Sequence, residues 1–177
     1  MAALTYEMRK LIGNLTQDVI KEYSISIPIK DIEKVVAALG GTVRMDCDLG
    51  VYSDGCIKKV GKNSFEISVS PLQPDTRKNF TIAHELGHLF LHMGYQIDSE
   101  LWDSQDEAVY FREGSSDMEY QSNEFAAALL MPQDEYKRVM DKNTDGNIVH
   151  TDEIARYFNV SVNAASNRGK WLGYLVW

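Results

Sequence analysis

The chain has 177 residues, of which 44% are hydrophobic and 25% are charged, and its formal net charge at pH 7 is −8. This composition is typical of a globular fold whose hydrophobic core needs no disulfide or metal staple. The acidic balance disfavours direct nucleic-acid binding, because a phosphate backbone would be repelled and no basic patch offsets the repulsion.

Cysteine content and hydropathy bear on the cellular compartment. The chain has only two cysteines, Cys47 and Cys56, which is too few for a disulfide framework and is typical of a reducing compartment. No stretch approaches the roughly 18 apolar residues of a membrane helix, and residues 1–15 lack the basic start and apolar run of a secretion signal. We therefore expect a cytoplasmic protein that does not interact with membranes.

The N-terminal part of the chain predicts two helices followed by three strands. Apolar residues at helical spacing predict a first helix over residues 4–23, and a second runs from Pro28 to the glycine pair that begins at Gly40. Three short strands are predicted at 43–47, 55–60 and 65–69. We expect them to form a small antiparallel sheet that is packed by the helices.

The middle of the chain predicts two longer helices separated by a loop. Pro74 opens a third helix that continues to about residue 93 and is capped by Gly94. Residues 95–117 are rich in acidic side chains and serine, which indicates a long surface loop. Its isolated aromatic residues either cover the functional site as a lid or anchor the loop to the core. A fourth helix is predicted over residues 118–130.

The C-terminal part of the chain reads as a helical extension. Short helices are predicted at 133–141, 151–158 and 161–169. The whole pattern therefore predicts an α+β fold. We expect a main domain over residues 1–132 and a small helical subdomain over 133–177 that packs on it, as one globular unit.

The third predicted helix carries the sequence His-Glu-Leu-Gly-His at residues 84–88. Four residues make a little over one helical turn, so His84 and His88 project from one face and can bind one metal ion. Glu85 is rotated by about 100° from His84, beside the metal, where it can take a proton from a water molecule. The surrounding stretch is apolar, and burying these polar side chains without partners is costly. A metal ion would supply those partners.

A catalytic zinc site needs a third protein ligand and an open position. His92 continues the spacing, but three successive turns of a straight helix span roughly 12 Å, so we expect His92 to support a ligand instead. On the fourth helix, Glu119 and Asn123 lie one turn apart. Helical phase predicts Glu119 as the ligand and Asn123 as a hydrogen-bond partner of a histidine. Glu124, which points to another side, is the rival ligand.

Two segments together resemble the ImmA/IrrE metallopeptidases. They are Phe80-Thr-Ile-Ala-His-Glu-Leu-Gly-His-Leu-Phe-Leu-His92 and the segment from Glu119 through Asn123 and Phe125-Ala-Ala to Leu-Leu-Met-Pro132. The resemblance covers most of the chain and includes the segment over residues 154–161. One departure lies at Ala128, where members often have an acidic residue, and it leaves the predicted metal ligands intact.

The resemblance implies a zincin-like active-site helix with one zinc ion per chain. The family's ligands match His84, His88 and Glu119, and its catalytic glutamate matches Glu85. Characterised members cleave, or promote the cleavage of, a helix-turn-helix repressor, which implies an intracellular zinc endopeptidase with such a repressor as its protein partner. The alternative is a binding module that antagonises a repressor without cutting it. Glu85 separates the two hypotheses, because a pure binder has no use for a base.

Acyl transfer also needs a hydrogen-bond donor for the tetrahedral oxyanion besides the metal ion. The sequence offers several candidates and does not choose among them. They are His92, Tyr95, Tyr110, Tyr120 and His150.

Two further patterns lie in the C-terminal part. Residues 141–148 match the first eight positions of an EF-hand calcium loop, but Val149 fills position nine and Asp152 stands at position twelve in place of the bidentate glutamate. An ordinary polar helix connection is the favoured interpretation. Residues 152–170 resemble a helix-turn-helix, but the second helix offers only Arg168 as a basic residue. We prefer a packing subdomain that braces the peptidase or docks its substrate.

Overall fold

The computed structural model describes residues 4–46, 54–105, 109–111 and 117–176. The helices are α1 (Tyr6–Glu22), α2 (Ile32–Ala38), α3 (Asp75–Leu91), α4 (Ser99–Ser104), α5 (Asp117–Leu130), α6 (Gln133–Lys142), α7 (Thr151–Phe158) and α8 (Val162–Trp171). The strands are β1 (Gly41–Met45), β2 (Gly55–Gly61), β3 (Ser64–Val69), β4 (Val109–Phe111), β5 (Thr144–Asp145) and β6 (Ile148–Val149). The α+β class is confirmed. The proposed boundary at residue 132 stays a prediction.

The main sheet is mixed, with the strand order β1-β3-β2-β4. β3 pairs parallel with β1 and antiparallel with β2, and β4 pairs antiparallel with β2. The prediction of an antiparallel three-stranded sheet is therefore wrong in the direction of β1 and in the number of strands. β2 and β3 form a hairpin that occupies one edge of β3, so β1 pairs with the other edge. Alternation in a sequence reports which side chains are buried, but it does not report the direction of a strand.

The second helix begins later than predicted. It starts at Ile32, and the Asp31 side chain caps it by accepting a hydrogen bond from the Lys34 amide at 3.3 Å. The Ile27–Pro28 peptide bond is cis, and Pro28 precedes the helix instead of opening it. Asp31 begins the helix because its side chain satisfies an amide that has no partner within the helix.

The segment over residues 95–117 is more structured than predicted. It contains α4 and β4. Tyr95 and Trp102 are buried, and the Trp102 indole donates a hydrogen bond to the Lys62 carbonyl oxygen at 2.5 Å. These two aromatic side chains anchor the segment to the core, because each combines a large apolar surface with a satisfied polar group. Apart from β4, residues 106–116 lie outside the described part of the chain.

Helix α3 lies at the centre of the molecule, where it contacts β2, β3 and α5. Residues 81–90 are all buried, as expected for a helix that is covered on every side. The largest fully buried core side chains of these elements are Ile57, Phe65, Ile67, Ile82, Leu86, Leu89, Phe125 and Leu129. The polar residues of α3 therefore lie in an apolar interior, between the sheet and α5.

Helices α6, α7 and α8 pack around a buried tyrosine. Tyr136 stacks on Phe158 with ring centroids 6.2 Å apart, and its hydroxyl donates a hydrogen bond to the Ala165 carbonyl oxygen at 2.7 Å. Arg168 of α8 is buried and its guanidinium bonds to Glu124 of α5 at 2.9 Å. The helical extension is therefore joined to the rest of the molecule through a buried ion pair.

The calcium and DNA interpretations gain no support from the fold. The β5–β6 hairpin occupies the EF-hand-like loop, where Asp141 bonds Lys137 and Asp145 bonds His150. Arg168, the basic residue that DNA binding would use, is buried rather than displayed. Within the described residues, no helix is long and apolar enough to span a membrane.

Candidate metal centre

The site depends on a close approach between α3 and α5. A Cβ atom at Gly87 would lie 2.8 Å from the Ser122 Cα and 3.0 Å from the Ser122 carbonyl oxygen. A side chain at this position would therefore push the two helices apart. Gly87 lies between the two histidines of the motif, so the close contact occurs where side chains of α5 can reach them.

His84, His88 and Glu119 converge at this contact. The Nε2 atoms of His84 and His88 lie 3.1 Å apart. One carboxylate oxygen of Glu119 lies 3.2 Å from His84 Nε2, and the other lies 3.1 Å from His88 Nε2. All three residues are buried, and their ligand atoms lie within 4.8 Å of one another. Among the described residues, no other group of three such side chains forms a candidate metal site.

A hydrogen bond to Asn123 of α5 orients the imidazole of His84. His84 Nδ1 lies 3.0 Å from the Asn123 side-chain oxygen, which can only accept. His84 Nδ1 therefore carries the proton, and the lone pair lies on Nε2, which faces Glu119. The sequence predicted that Asn123 would bond one of the two histidines, and the structure places it against His84, as an outer partner that orients the ring.

The second imidazole is oriented by a relay of two residues. The Gln121 side-chain oxygen accepts from His92 Nε2 at 3.1 Å, so the His92 Nδ1 holds a lone pair. That atom lies 3.0 Å from His88 Nδ1, which must donate, and the lone pair of His88 is left on Nε2. Burial lowers the pKa of His92, which keeps the ring neutral and able to accept.

His92 therefore lies behind His88 and hydrogen-bonds to its Nδ1, which is compatible with the supporting position that we expect for it. Gln121 was missed by sequence reasoning, because nothing in the spacing of α5 indicates that it faces His92 of another helix. Its role becomes visible only when the two helices are placed together.

The charge of Glu119 is set by its neighbours. Burial raises the pKa of this carboxyl group, but protons on Nε2 of His84 and His88 outweigh burial through hydrogen bonds and charge, and hold the pKa well below its usual range. A metal ion at the two Nε2 lone pairs would take the place of those protons and would likewise favour the ionised carboxylate. Two imidazoles and one carboxylate are a donor set that suits a zinc ion.

Glu85 is fully buried and lies close to β2. A Cβ atom at Gly55 would lie 3.3 Å from a Glu85 carboxylate oxygen and 2.6 Å from the Thr81 methyl group. Gly55 therefore lets the strand pass close to the glutamate. The pKa of the neighbouring Cys56 thiol is raised by burial and then by the charge of Glu85. Sequence reasoning missed Gly55, because a glycine that begins a strand does not reveal what it approaches.

Glu124, the rival ligand, lies elsewhere. One of its carboxylate oxygens bonds Arg9 of α1, and the other bonds Arg168 of α8 at 2.9 Å. Both partners are permanently charged, and neither offers a lone pair to a metal ion. The side chain is buried in an ion-pair network and takes no part in the group around Glu119.

The structure narrows the candidate oxyanion donors. Tyr95 donates to the Leu39 carbonyl oxygen at 2.6 Å, His150 bonds Asp145, and His92 is engaged by His88 and Gln121. The side chain of Tyr110 lies outside the described residues. Tyr120 directly follows Glu119 and lines a cavity together with Asn123.

Comparisons with known proteins agree with this geometry. A family model described as the IrrE N-terminal-like domain (Peptidase_M78) matches residues 60–170. Among solved structures, the chain is similar to a Mycobacterium tuberculosis transcriptional regulator, with a TM-score of 0.53 and 15% sequence identity. The match covers 93% of this chain and 46% of the regulator, so this chain spans about half of its length. At this identity, the similarity shows the fold alone. No curated protein matches the sequence significantly.

Proposed function

This chain belongs to the IrrE N-terminal-like domain family (Peptidase_M78), and from that premise we propose that it is a cytoplasmic zinc endopeptidase that cleaves a regulatory protein. The family match confirms the resemblance drawn from residues 80–92 and 119–132. The observation that carries the proposal is the buried convergence of His84, His88 and Glu119. The family resemblance favours a helix-turn-helix repressor as the substrate.

The residues present fit one zinc ion. His84 and His88 each keep a lone pair on Nε2, because their Nδ1 atoms bond Asn123 and His92. Two imidazoles and one carboxylate are the ligand set of many catalytic zinc sites, with one position left open. When bound, a zinc ion supplies Lewis acidity that polarises the scissile carbonyl group and lowers the pKa of a water molecule.

Glu85 supplies the proton transfers. It follows His84 directly on α3 and is fully buried, so water competes weakly for its carboxylate. The carboxylate accepts a proton from the attacking water, holds it, and delivers it to the leaving amine. The burial of a carboxylate here is costly for a fold, and a module that only binds gains nothing from it. This favours the peptidase over the non-cleaving binding module.

The test is the substitution Glu85→Gln in zinc-loaded protein. We expect hydrolysis of a mixed peptide library to fall by about 10²–10⁴-fold or more, because amide nitrogen and oxygen cannot take the proton. Zinc content should stay near one per chain, since Glu85 is not a ligand. The exposed Glu33→Gln on α2 is the matched control and should cleave as the wild type does. Equal cleavage by Glu85→Gln and wild type would overturn the mechanism.

A further inference from the structure

A cavity of about 440 Å³ lies beside the candidate metal site. It is lined by Asn123, which hydrogen-bonds to His84 Nδ1, and by Tyr120, which follows Glu119 on α5. Phe80 of α3 also lines the cavity, one helical turn before His84. One turn of helix rises about 5.4 Å, so the backbone of Phe80 lies about one turn from that of His84. The side chain of a substrate residue bound at the candidate metal site would have to bridge this separation to enter the cavity.

Much of the cavity wall is apolar. Four partly buried hydrophobic residues that pack against the core line it: Leu4, which precedes α1, Phe80 of α3, Ala127 of α5 and Ala164 of α8. The two alanines face the cavity from different helices and leave space that larger side chains would fill. A volume of this size is within the range of pockets that bind organic ligands.

The ion-pair network of Glu124 forms part of the cavity wall. Glu124 bonds both Arg9 and Arg168, and the Arg9 guanidinium lies 3.7 Å from the centre of the Trp171 ring. The network contains two guanidinium groups and one carboxylate, so its net charge is positive. Arg168 also donates a hydrogen bond from Nε to the Met131 carbonyl oxygen at 3.1 Å, so its guanidinium is bonded to groups of the protein.

The fourth charged residue of the lining is Arg77, whose guanidinium is paired with Asp54 at 3.1 Å. The cavity therefore carries net positive charge in a chain whose formal net charge is −8. A lysine or arginine side chain that entered it would meet like charge without a free carboxylate. An uncharged apolar side chain would instead fill the space between the apolar walls.

On the basis of the peptidase function above, we propose that this cavity is the specificity pocket of the enzyme. It receives a large apolar side chain of the substrate, such as leucine, methionine or phenylalanine, from a residue that flanks the scissile bond. It rejects lysine and arginine. Ala127 of α5 and Ala164 of α8 determine the size of the accepted side chain.

The experiment uses an unbiased synthetic peptide library, zinc-loaded protein, and identification of cleavage sites by mass spectrometry. We expect wild type to favour large apolar over small residues by about 10-fold or more at one flanking position, and to disfavour basic residues there. Ala127→Phe and Ala164→Phe should each shift the preference to alanine and glycine, because they fill the cavity. Ala38→Phe, at an exposed alanine of α2, is the control and should change nothing.

A binding measurement removes the dependence on turnover. In the Glu85→Gln protein, N-acetyl-phenylalaninamide should perturb the NMR signals of Phe80 and Ala164, and N-acetyl-lysinamide should not. Ala127→Phe in the same background should abolish the perturbation while circular dichroism and zinc content stay unchanged. No perturbation at these residues would overturn the assignment of the cavity.

The outcomes separate this inference from the proposed function. Failure of zinc-loaded wild type to cleave any peptide would overturn the peptidase function itself. Cleavage without a preference at either flanking position, or with a preference for acidic residues, would overturn the apolar pocket alone. A side-chain preference that stays the same in both Ala127→Phe and Ala164→Phe would also overturn the assignment of the apolar pocket.

Discussion

Glu119 and Glu124 lie on one helix, both are buried, and each carboxylate lies between two nitrogen-bearing side chains of other residues. The partners of Glu119 are imidazoles, and the partners of Glu124 are guanidiniums. An imidazole keeps one nitrogen lone pair that a metal ion can use, whereas a guanidinium has only donors and stays charged. The same residue type therefore belongs to a candidate metal site in one place and to a fixed ion-pair network in the other.

The difference also shows in what each group does for the fold. Glu124 joins α5 to α1 and α8, and it compensates Arg168, whose pKa is lowered by burial. Glu119 joins α5 to the histidines of α3. We therefore expect changes at Glu124 to act mainly on stability and changes around Glu119 to act mainly on metal affinity.

The largest effect should follow Glu124→Ala. Arg168 would keep a buried charge without its carboxylate, and breaking such a pair typically costs about 3–5 kcal/mol of the free energy of unfolding. Urea unfolding measures the change. Glu33→Ala, exposed on α2, is the control and should stay within about 0.5 kcal/mol. A loss below about 1 kcal/mol would contradict the structural role of Glu124.

A second change tests the helix contact that brings Glu119 to the histidines. Gly87→Ala introduces a Cβ 2.8 Å from Ser122, so we expect a loss of about 1–3 kcal/mol in unfolding free energy together with weaker zinc binding. Gly13→Ala on α1 is a matched control with no atom within 4 Å of its new Cβ. It should stabilise the helix by about 0.5–1 kcal/mol. If Gly87→Ala behaves like Gly13→Ala, the close approach is not needed for the site.

A smaller and more selective effect should follow Asn123→Ala. Loss of the partner that orients His84 should weaken zinc binding by about 10–100-fold, as measured by competition with a chelator. Unfolding free energy should change by less than about 1 kcal/mol, because the residue is exposed. Asn14→Ala, exposed on α1, should alter neither quantity. Unchanged zinc affinity in Asn123→Ala would remove this residue from the support of the site.

Local periodicity explains what the sequence could predict. The spacing of His84 and His88 fixes their common face, and helical phase separates Glu119 from Glu124, because both depend only on residues within one helix. The structure brings these groups together in the pattern that the phase suggests, and their role as ligands stays a prediction. The α+β class follows in the same way from alternating and helical stretches.

Contacts between distant elements explain what the sequence could not predict. The bond between Gln121 and His92, and the pairing of Glu124 with Arg9 and Arg168, join residues of different helices. The parallel pairing of β1 with β3 likewise depends on which edge the hairpin leaves open. No period within a single segment encodes these choices, since packing of the whole chain decides them.

The most direct test of the account is zinc affinity in Glu119→Gln beside Glu124→Gln. The two substitutions are chemically identical, lie on the same helix, and each removes one buried charge. We expect about one zinc per chain in wild type, affinity weakened by roughly 100-fold or more in Glu119→Gln, and affinity within about threefold of wild type in folded Glu124→Gln. Wild-type affinity in Glu119→Gln, or a loss confined to Glu124→Gln, would contradict the assignment of the metal centre.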